Sequence, residues 1–167
     1  LFLFTGTEGV KPETERLWGM VEESALPAIG FVNQMDDENS DLGRAVTIIE
    51  KTIQKPVQPL AFPLRRGKEL IGVVDLIRQK VSSLNNGKLV ETEIPDSMKS
   101  ELSRARTQLV ERIAENNDDL LEKYLSGTEL SEEELHRGLR AAVHKRSFVP
   151  ILCGSGQSDI GVHLLLD

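Results

Sequence analysis

Two short polar stretches carry residue types from which a base-recognition site could be built. One is Asn33-Gln34-Met35-Asp36, directly after the apolar run Ala28-Ile29-Gly30-Phe31-Val32. The other is Cys153-Gly154-Ser155-Gly156, directly after Phe148-Val149-Pro150-Ile151-Leu152. An aspartate carboxylate offers two acceptor oxygens, a match for the adjacent N1–H and N2–H₂ donors on the Watson–Crick edge of guanine. Adenine has no such donor pair there. An asparagine amide can approach the N7/O6 acceptors that mark guanine while tying its own loop to neighbouring backbone. A Ser-Gly turn can present N–H groups to O6. Such a site rejects the wrong base strongly, because a mismatch leaves the protein's own groups unpaired. On these residues alone a plainer reading stays open. Asn33–Asp36 can be a turn with Asp37 or Asn39 capping the next helix, and Cys-Gly-Ser-Gly can be a glycine turn with Cys153 as a small core residue. A second Asn-x-x-Asp, Asn116-Asn117-Asp118-Asp119, has no strand before it and reads as a turn plus helix cap.

The elements that would position these loops can be read from periodicity. Leu1–Thr5 reads as a short buried strand, and Gly6, Gly9 and Pro12 punctuate the loop after it. Pro12 suits the first position of a helix, where a missing N–H costs nothing. Leu17, Trp18, Val21 and Ala25 then share one face. Pro27 opens a strand ending at Val32. Leu42, Ala45, Val46, Ile49 and Ile53 repeat at helical spacing, with Asn39 or Ser40 as cap and Pro56 as the stop. Strand, helix, strand, helix predicts parallel βαβ units. Open parallel sheets bind ligands beyond the carboxyl ends of their strands, which is where both polar stretches fall.

The pattern then changes. Residues 57–64, 70–77 and 87–94 read as strands, with turns at Arg66-Gly67 and Asn86-Gly87 and the latter a hairpin signal. Helical stripes follow at Met98–Ile113 and Leu120–Leu125. The helix over 131–146 has the strongest local signals, a Ser131/Glu134 capping box with Leu130 and Leu135 placed to staple it. Glu132, Glu133 and Glu134 sit at its positive end, Lys145 and Arg146 at its negative end. Ser147–Cys153 returns to a buried strand and a helix start follows. The reading is a doubly wound α/β domain, 1–56 and 147–167, interrupted by an α+β subdomain at 57–146.

Composition excludes several classes. No apolar run in the 167 residues approaches the roughly 18 a membrane helix needs, and the N-terminus lacks the basic region of a signal peptide. One cysteine rules out an internal disulfide and suits a reducing cytoplasm. The net charge of −7 is uneven: 91–134 holds 13 acidic and 5 basic residues. Such a surface repels phosphate backbones and disfavours nucleic-acid binding. The acidic stretch is either a solvated helical face or a docking face for a protein partner. The chain opens inside an apolar strand without Met and closes in the first turns of a helix, which reads as part of a longer protein.

Taken in order, GVKPETERLW (9–18), LPAIGFVNQMD (26–36), GVVDLI (72–77), EKYLSGTELSEEELHRGLRAAV (122–143) and VPILCGSG (149–156) resemble the middle of elongation factor G, a family of translational GTPases. The resemblance covers nearly the whole chain, the long insert between the two loops included. It implies the last three parallel strands of a P-loop GTPase domain plus the inserted subdomain. It carries the family's Asn-Lys-x-Asp motif onto Asn33, Gln34 and Asp36, and its Gly-Ser-Ala loop onto Gly154, Ser155 and Gly156. Asn33 would orient loop and base, Asp36 would fix guanine, and Ser155 with Gly156 would support Asp36 and O6. The implied cofactor of the parent is GTP or GDP with Mg²⁺. The implied partners are the ribosome and, through the insert, the ribosomal stalk protein.

Two residues depart from the family pattern. Gln34 stands where a lysine packs on the base, and keeps some of the stem without the cation. Gly156 replaces an alanine. Together they point to a diverged paralogue with weakened or altered nucleotide binding. No G-x-x-x-x-G-K-[ST] occurs in these residues; Gly67-Lys68 precedes Glu69 and Gly87-Lys88 precedes Leu89. Without that loop the chain is expected neither to hydrolyse GTP nor to hold it tightly. An exposed edge of the parallel sheet could allow self-association. Two rivals remain: a non-catalytic ribosome-associated paralogue, and a tetracycline-protection-type homologue, which the Gly72–Ile77 match disfavours.

Overall fold

The computed structural model describes all residues except Gly9, Asn86 and Asp167. The loop reading at Gly9 and the first half of the Asn86-Gly87 turn therefore lie outside the described residues. The elements run β1 Phe2–Thr5, α1 Pro12–Glu23, β2 Gly30–Asn33, α2 Leu42–Ile53, β3 Val57–Pro59, β4 Ala61–Arg66, β5 Glu69–Asp75, β6 Lys80–Asn85, β7 Lys88–Thr92, α3 Asp96–Ala114, α4 Asp118–Leu125, α5 Glu132–His144, β8 Val149–Cys153 and α6 His163–Leu166.

They form two sheets. The parallel one has the order β1-β2-β8-β3, and the antiparallel one is the meander β4-β5-β6-β7. The architecture is the expected mixed α/β one, with a fourth strand added to the three parallel strands predicted. The run 57–64, read as one strand, divides at Leu60. Val57 pairs with Val149 in parallel, whereas Ala61 pairs with Asp75 in antiparallel. Leu60 itself serves both sheets. Its N–H donates to Ile151 O at 2.8 Å, and its carbonyl accepts from Leu76 N at 2.9 Å. Pro59 and Pro63 are tolerated because β3 and β4 are both edge strands, where a missing N–H breaks no ladder. The sequence pattern does not mark β6 as a strand. Its Ser82 is buried and Val81 packs in the core, so the meander, not local propensity, selects it.

The helices follow their caps. α1 starts with Pro12 at its first turn. The cap of α2 is Asp41, which accepts from Arg44 N at 2.9 Å, and not Asn39 or Ser40. Those two are used in the preceding turn: Asn39 N donates to Asp37 Oδ1 at 2.8 Å, and Ser40 Oγ donates to Asp37 O at 2.8 Å. α5 has the complete capping box of Ser131 and Glu134. Leu42, Ala45, Ile49 and Ile53 form the buried stripe of α2.

A single apolar cluster runs through both sheets, with Val32, Ile151 and Cys153 on one side and Ala61, Val73 and Val74 on the other. Each fully buried aliphatic side chain contributes about 1.5–3 kcal/mol to that junction. The acidic helices pack closely on one another. A Cβ at Gly138 of α5 would lie 2.5 Å from Ile113 Cγ2 of α3 and 2.7 Å from Leu120 Cδ1 of α4. Among the described residues no helix is long and apolar enough to cross a membrane.

Candidate functional site

Strands β2 and β8 are parallel neighbours with Val32 opposite Cys153, so the chain leaves both at the same rim of the sheet. Hydrogen bonds then lace the two loops. Gly154 N donates to Val32 O at 3.0 Å, and Met35 N donates to Gly154 O at 3.0 Å. Gly156 N donates to Asn33 Oδ1 at 2.8 Å, a contact between residues 123 apart in sequence. Asn33 also binds backward: its carbonyl accepts from Gly6 N at 2.9 Å. One residue therefore holds the loop after β1 with its backbone and the serine loop with its side chain.

The residues after Asn33 alternate in exposure. Gln34 has φ 60°, a left-handed conformation that a non-glycine residue adopts at some cost. This turn sends Met35 into the core, 1% exposed, and leaves Gln34 and Asp36 in solvent. Met35 is thus an anchor between two solvent-facing polar groups. The Asp36 carboxylate has no hydrogen bond or ion pair among the described residues, so both its oxygens are available to a ligand.

Ser155 is fully buried. Its N–H donates to Ile160 O at 2.9 Å, and its hydroxyl accepts from Ser158 N at 3.2 Å. The hydroxyl is thus engaged inside its own turn and not with Asp36. Gly154 has no room for a side chain, since a Cβ would sit 2.1 Å from Ile160 O. Gly156 differs: a Cβ there would meet Asn33 Oδ1 at 3.6 Å, ordinary contact, so the space of an alanine is retained. Cys153, one residue before Gly154, is not a nucleophile, because complete burial pushes its thiol up to about 12.

Sequence reasoning missed Arg65 and gave Ser40 only the role of a helix cap. The Arg65 guanidinium, on β4, donates to Met35 O, Asp37 O and Ser40 Oγ. Its only sequence signal was the turn-like Arg66-Gly67, which says nothing of a partner 30 residues away. Lys68, beyond the same turn, pairs with Glu38. On the other side of the loop, Asp41 N donates to Gly6 O at 3.0 Å. Among the described residues no group of His, Cys, Asp and Glu side chains could hold a metal ion.

Both polar loops leave the carboxyl ends of neighbouring parallel strands, the rim at which open α/β domains bind ligands. The family model of the elongation factor Tu GTP binding domain matches residues 1–167, and the chain belongs to that family. Among its relatives, elongation factor G of Thermotoga maritima is 37% identical over 169 residues, covering 99% of this chain and 24% of the relative. Elongation factor G of Thermotoga petrophila matches equally, at 37% over 169 residues. A crystal structure of a protein from Thermus thermophilus superposes with a TM-score of 0.87 at 31% identity, over 98% of this chain and 25% of that one. The chain thus spans about a quarter of the length of the relatives it matches.

Proposed function

We propose that this chain supplies the base-recognition part of the guanine-nucleotide site in an elongation factor G-like GTPase that works on the ribosome in the cytoplasm. The single observation that carries the reading is the Gly156 N to Asn33 Oδ1 bond at 2.8 Å. It makes one rigid rim of two distant loops, with the Asp36 carboxylate unspent beside it. Asp36 accepts from guanine N1–H and N2–H₂, Asn33 keeps the loops in register, and the Ser155–Gly156 turn bounds the base near O6. Gln34 replaces a lysine at the base plane without removing any guanine contact. When bound, GTP with Mg²⁺ supplies the hydrolysable phosphate; this chain's own residues bind and orient the base.

In the same reading, the subdomain over 57–146 is the docking part. Its acidic helices α3, α4 and α5 offer a negatively charged face to the ribosomal stalk protein. The alternative is a paralogue that occupies the ribosome without hydrolysis; the exposed, cation-free Gln34 favours it.

Nucleotide titration of the full-length protein decides the base. Wild type is expected to bind GDP far better than ADP. Asp36→Asn presents an amide, whose N–H₂ suits the C2 carbonyl of xanthine in place of the guanine amine. It is expected to lose GDP affinity by a factor of about 100 or more and to gain xanthosine diphosphate binding. Equal affinity of the wild type for GDP and ADP would exclude the reading.

A further inference from the structure

We infer that Arg65, on the inserted antiparallel sheet, is a positioning residue for Asp36 and thereby sets how well the site tells guanine from other purines. This rests on the guanine reading above and goes beyond it by giving the insert a part in base selection.

The geometry is specific. A β-bulge between Leu64 and Arg65 interrupts the β4–β5 ladder, and bulges re-aim the side chain that carries them. The Arg65 Nη1 donates to Lys68 O at 2.8 Å, fixing the arginine to its own hairpin. Its Nη2 then faces the other sheet. It donates to the carbonyls of Met35 and Asp37, the latter at 3.0 Å, and to Ser40 Oγ. The two carbonyls flank Asp36 on either side. Ser40 Oγ closes the set by sharing its one hydrogen between Asp37 O at 2.8 Å and Met35 O at 3.2 Å. Among the described residues no carboxylate pairs with Arg65, so its charge is directed at backbone carbonyls and the Ser40 hydroxyl. Charge-assisted hydrogen bonds of this kind are about twice as strong as neutral ones.

The backbone of Asp36 is thus pinned by one guanidinium from outside, while Met35 pins it from the core. If the clamp is released, Asp36 can rotate away from the line on which it meets N1–H and N2–H₂ together. The loss would be felt most by a base that offers both donors. Hypoxanthine offers N1–H without the amine, so the affinity ratio of GDP to IDP reads the position of the carboxylate. Coupling is reciprocal: guanine binding should in turn steady the 65–68 hairpin, so an event on the insert and one at the base bias each other.

The test uses the full-length protein, with GDP and IDP affinities and the thermal midpoint measured for each variant. Arg65→Ala is expected to shrink the GDP/IDP ratio about tenfold, the size set by losing hydrogen bonds from a charged group. Arg65→Lys should recover part of it, since a point donor reaches one carbonyl and cannot fork. Ser40→Ala should give a smaller decrease, and it serves if Arg65→Ala folds poorly. Glu38→Ala, which leaves the Arg65 contacts in place, should keep the wild-type ratio. A lower midpoint with an unchanged ratio in Arg65→Ala and Arg65→Lys overturns the inference, because Arg65 would then only stabilise the fold. A wild type with no preference for GDP over ADP instead overturns the guanine reading, and this inference with it.

Discussion

The chain contains the Asn-x-x-Asp pattern twice, and the two copies behave differently. At Asn33–Asp36 the asparagine leaves a parallel strand and its amide oxygen crosses to the other loop of the rim. The carboxylate three residues on is left without a protein partner among the described residues. At Asn116–Asp119 the pattern joins two helices. Asn116 Nδ2 donates back to Arg112 O at 2.8 Å, and Asn117 Oδ1 accepts from Leu120 N at 3.1 Å as the cap of α4. Asp118 and Asp119 fall in the first turn of α4, where the helix dipole favours negative charge. The same residue types at the same spacing therefore build a hydrogen-bonded rim after a strand and a joint between helices. What precedes the motif decides which.

That contrast can be tested by substitution. The largest effect is expected at the glycine behind the rim. Gly154→Ala drives a Cβ against the Ile160 carbonyl, which cannot move away, and should cost about 3 kcal/mol in urea unfolding. Gly138→Ala on α5, packed against the helices that the joint connects, meets the Ile113 Cγ2 and Leu120 Cδ1 methyl groups rather than backbone at close range, and should cost about 1 kcal/mol. Equal costs at the two sites would mean that the rim yields as easily as the joint.

Next come the asparagines. Asn117→Ala removes a helix cap and should cost about 1 kcal/mol, with guanine-nucleotide affinity of the full-length protein unchanged. Asn33→Ala should cost a similar amount, about 1 kcal/mol, through the lost bond to Gly156, but it should also weaken GDP binding. If both variants keep GDP affinity, the two copies are functionally alike. Gly156→Ala fits the open space beside Asn33 and should stabilise by about 0.5 kcal/mol through a less flexible unfolded chain.

The last prediction concerns pH at the helical end. The Lys123 ammonium and the Ser131 backbone N–H bind the Glu134 carboxylate and hold its pKa down at about 2, against an ordinary 4.5. A depressed folded-state pKa stabilises above the ordinary value, and that contribution is lost as pH falls toward 2. Wild type should therefore lose thermal stability between about pH 4.5 and 2 more steeply than Glu134→Gln. Parallel curves for the two proteins would show that the α5 cap has no such role.

Much of this is legible in the chain itself, and the reasons differ by element. The α5 cap is readable because its signals are local: Ser131, Glu134 and their neighbours interact within one turn. The rim is readable because strand, motif and turn occur in series on both sides. Leu60 is not, because a strand that changes sheets shows no break in apolar pattern. Asp41 is overlooked as cap because Asn39 and Ser40 have equal intrinsic claim; tertiary demand on Ser40 from Arg65 decides. Arg65 itself leaves no trace, since a bulge and a partner on another sheet are products of the fold. Contacts over short separations print themselves in sequence, and those made when two sheets meet do not.

Cys153 gives that meeting a practical consequence. Its sulfur lies 3.4 Å from Ala61 O, on the seam where the parallel and antiparallel sheets join, and it is the chain's one thiol. A disulfide reagent can reach it only in molecules whose seam has parted. The rate of modification under native conditions therefore measures seam opening directly, without any introduced label.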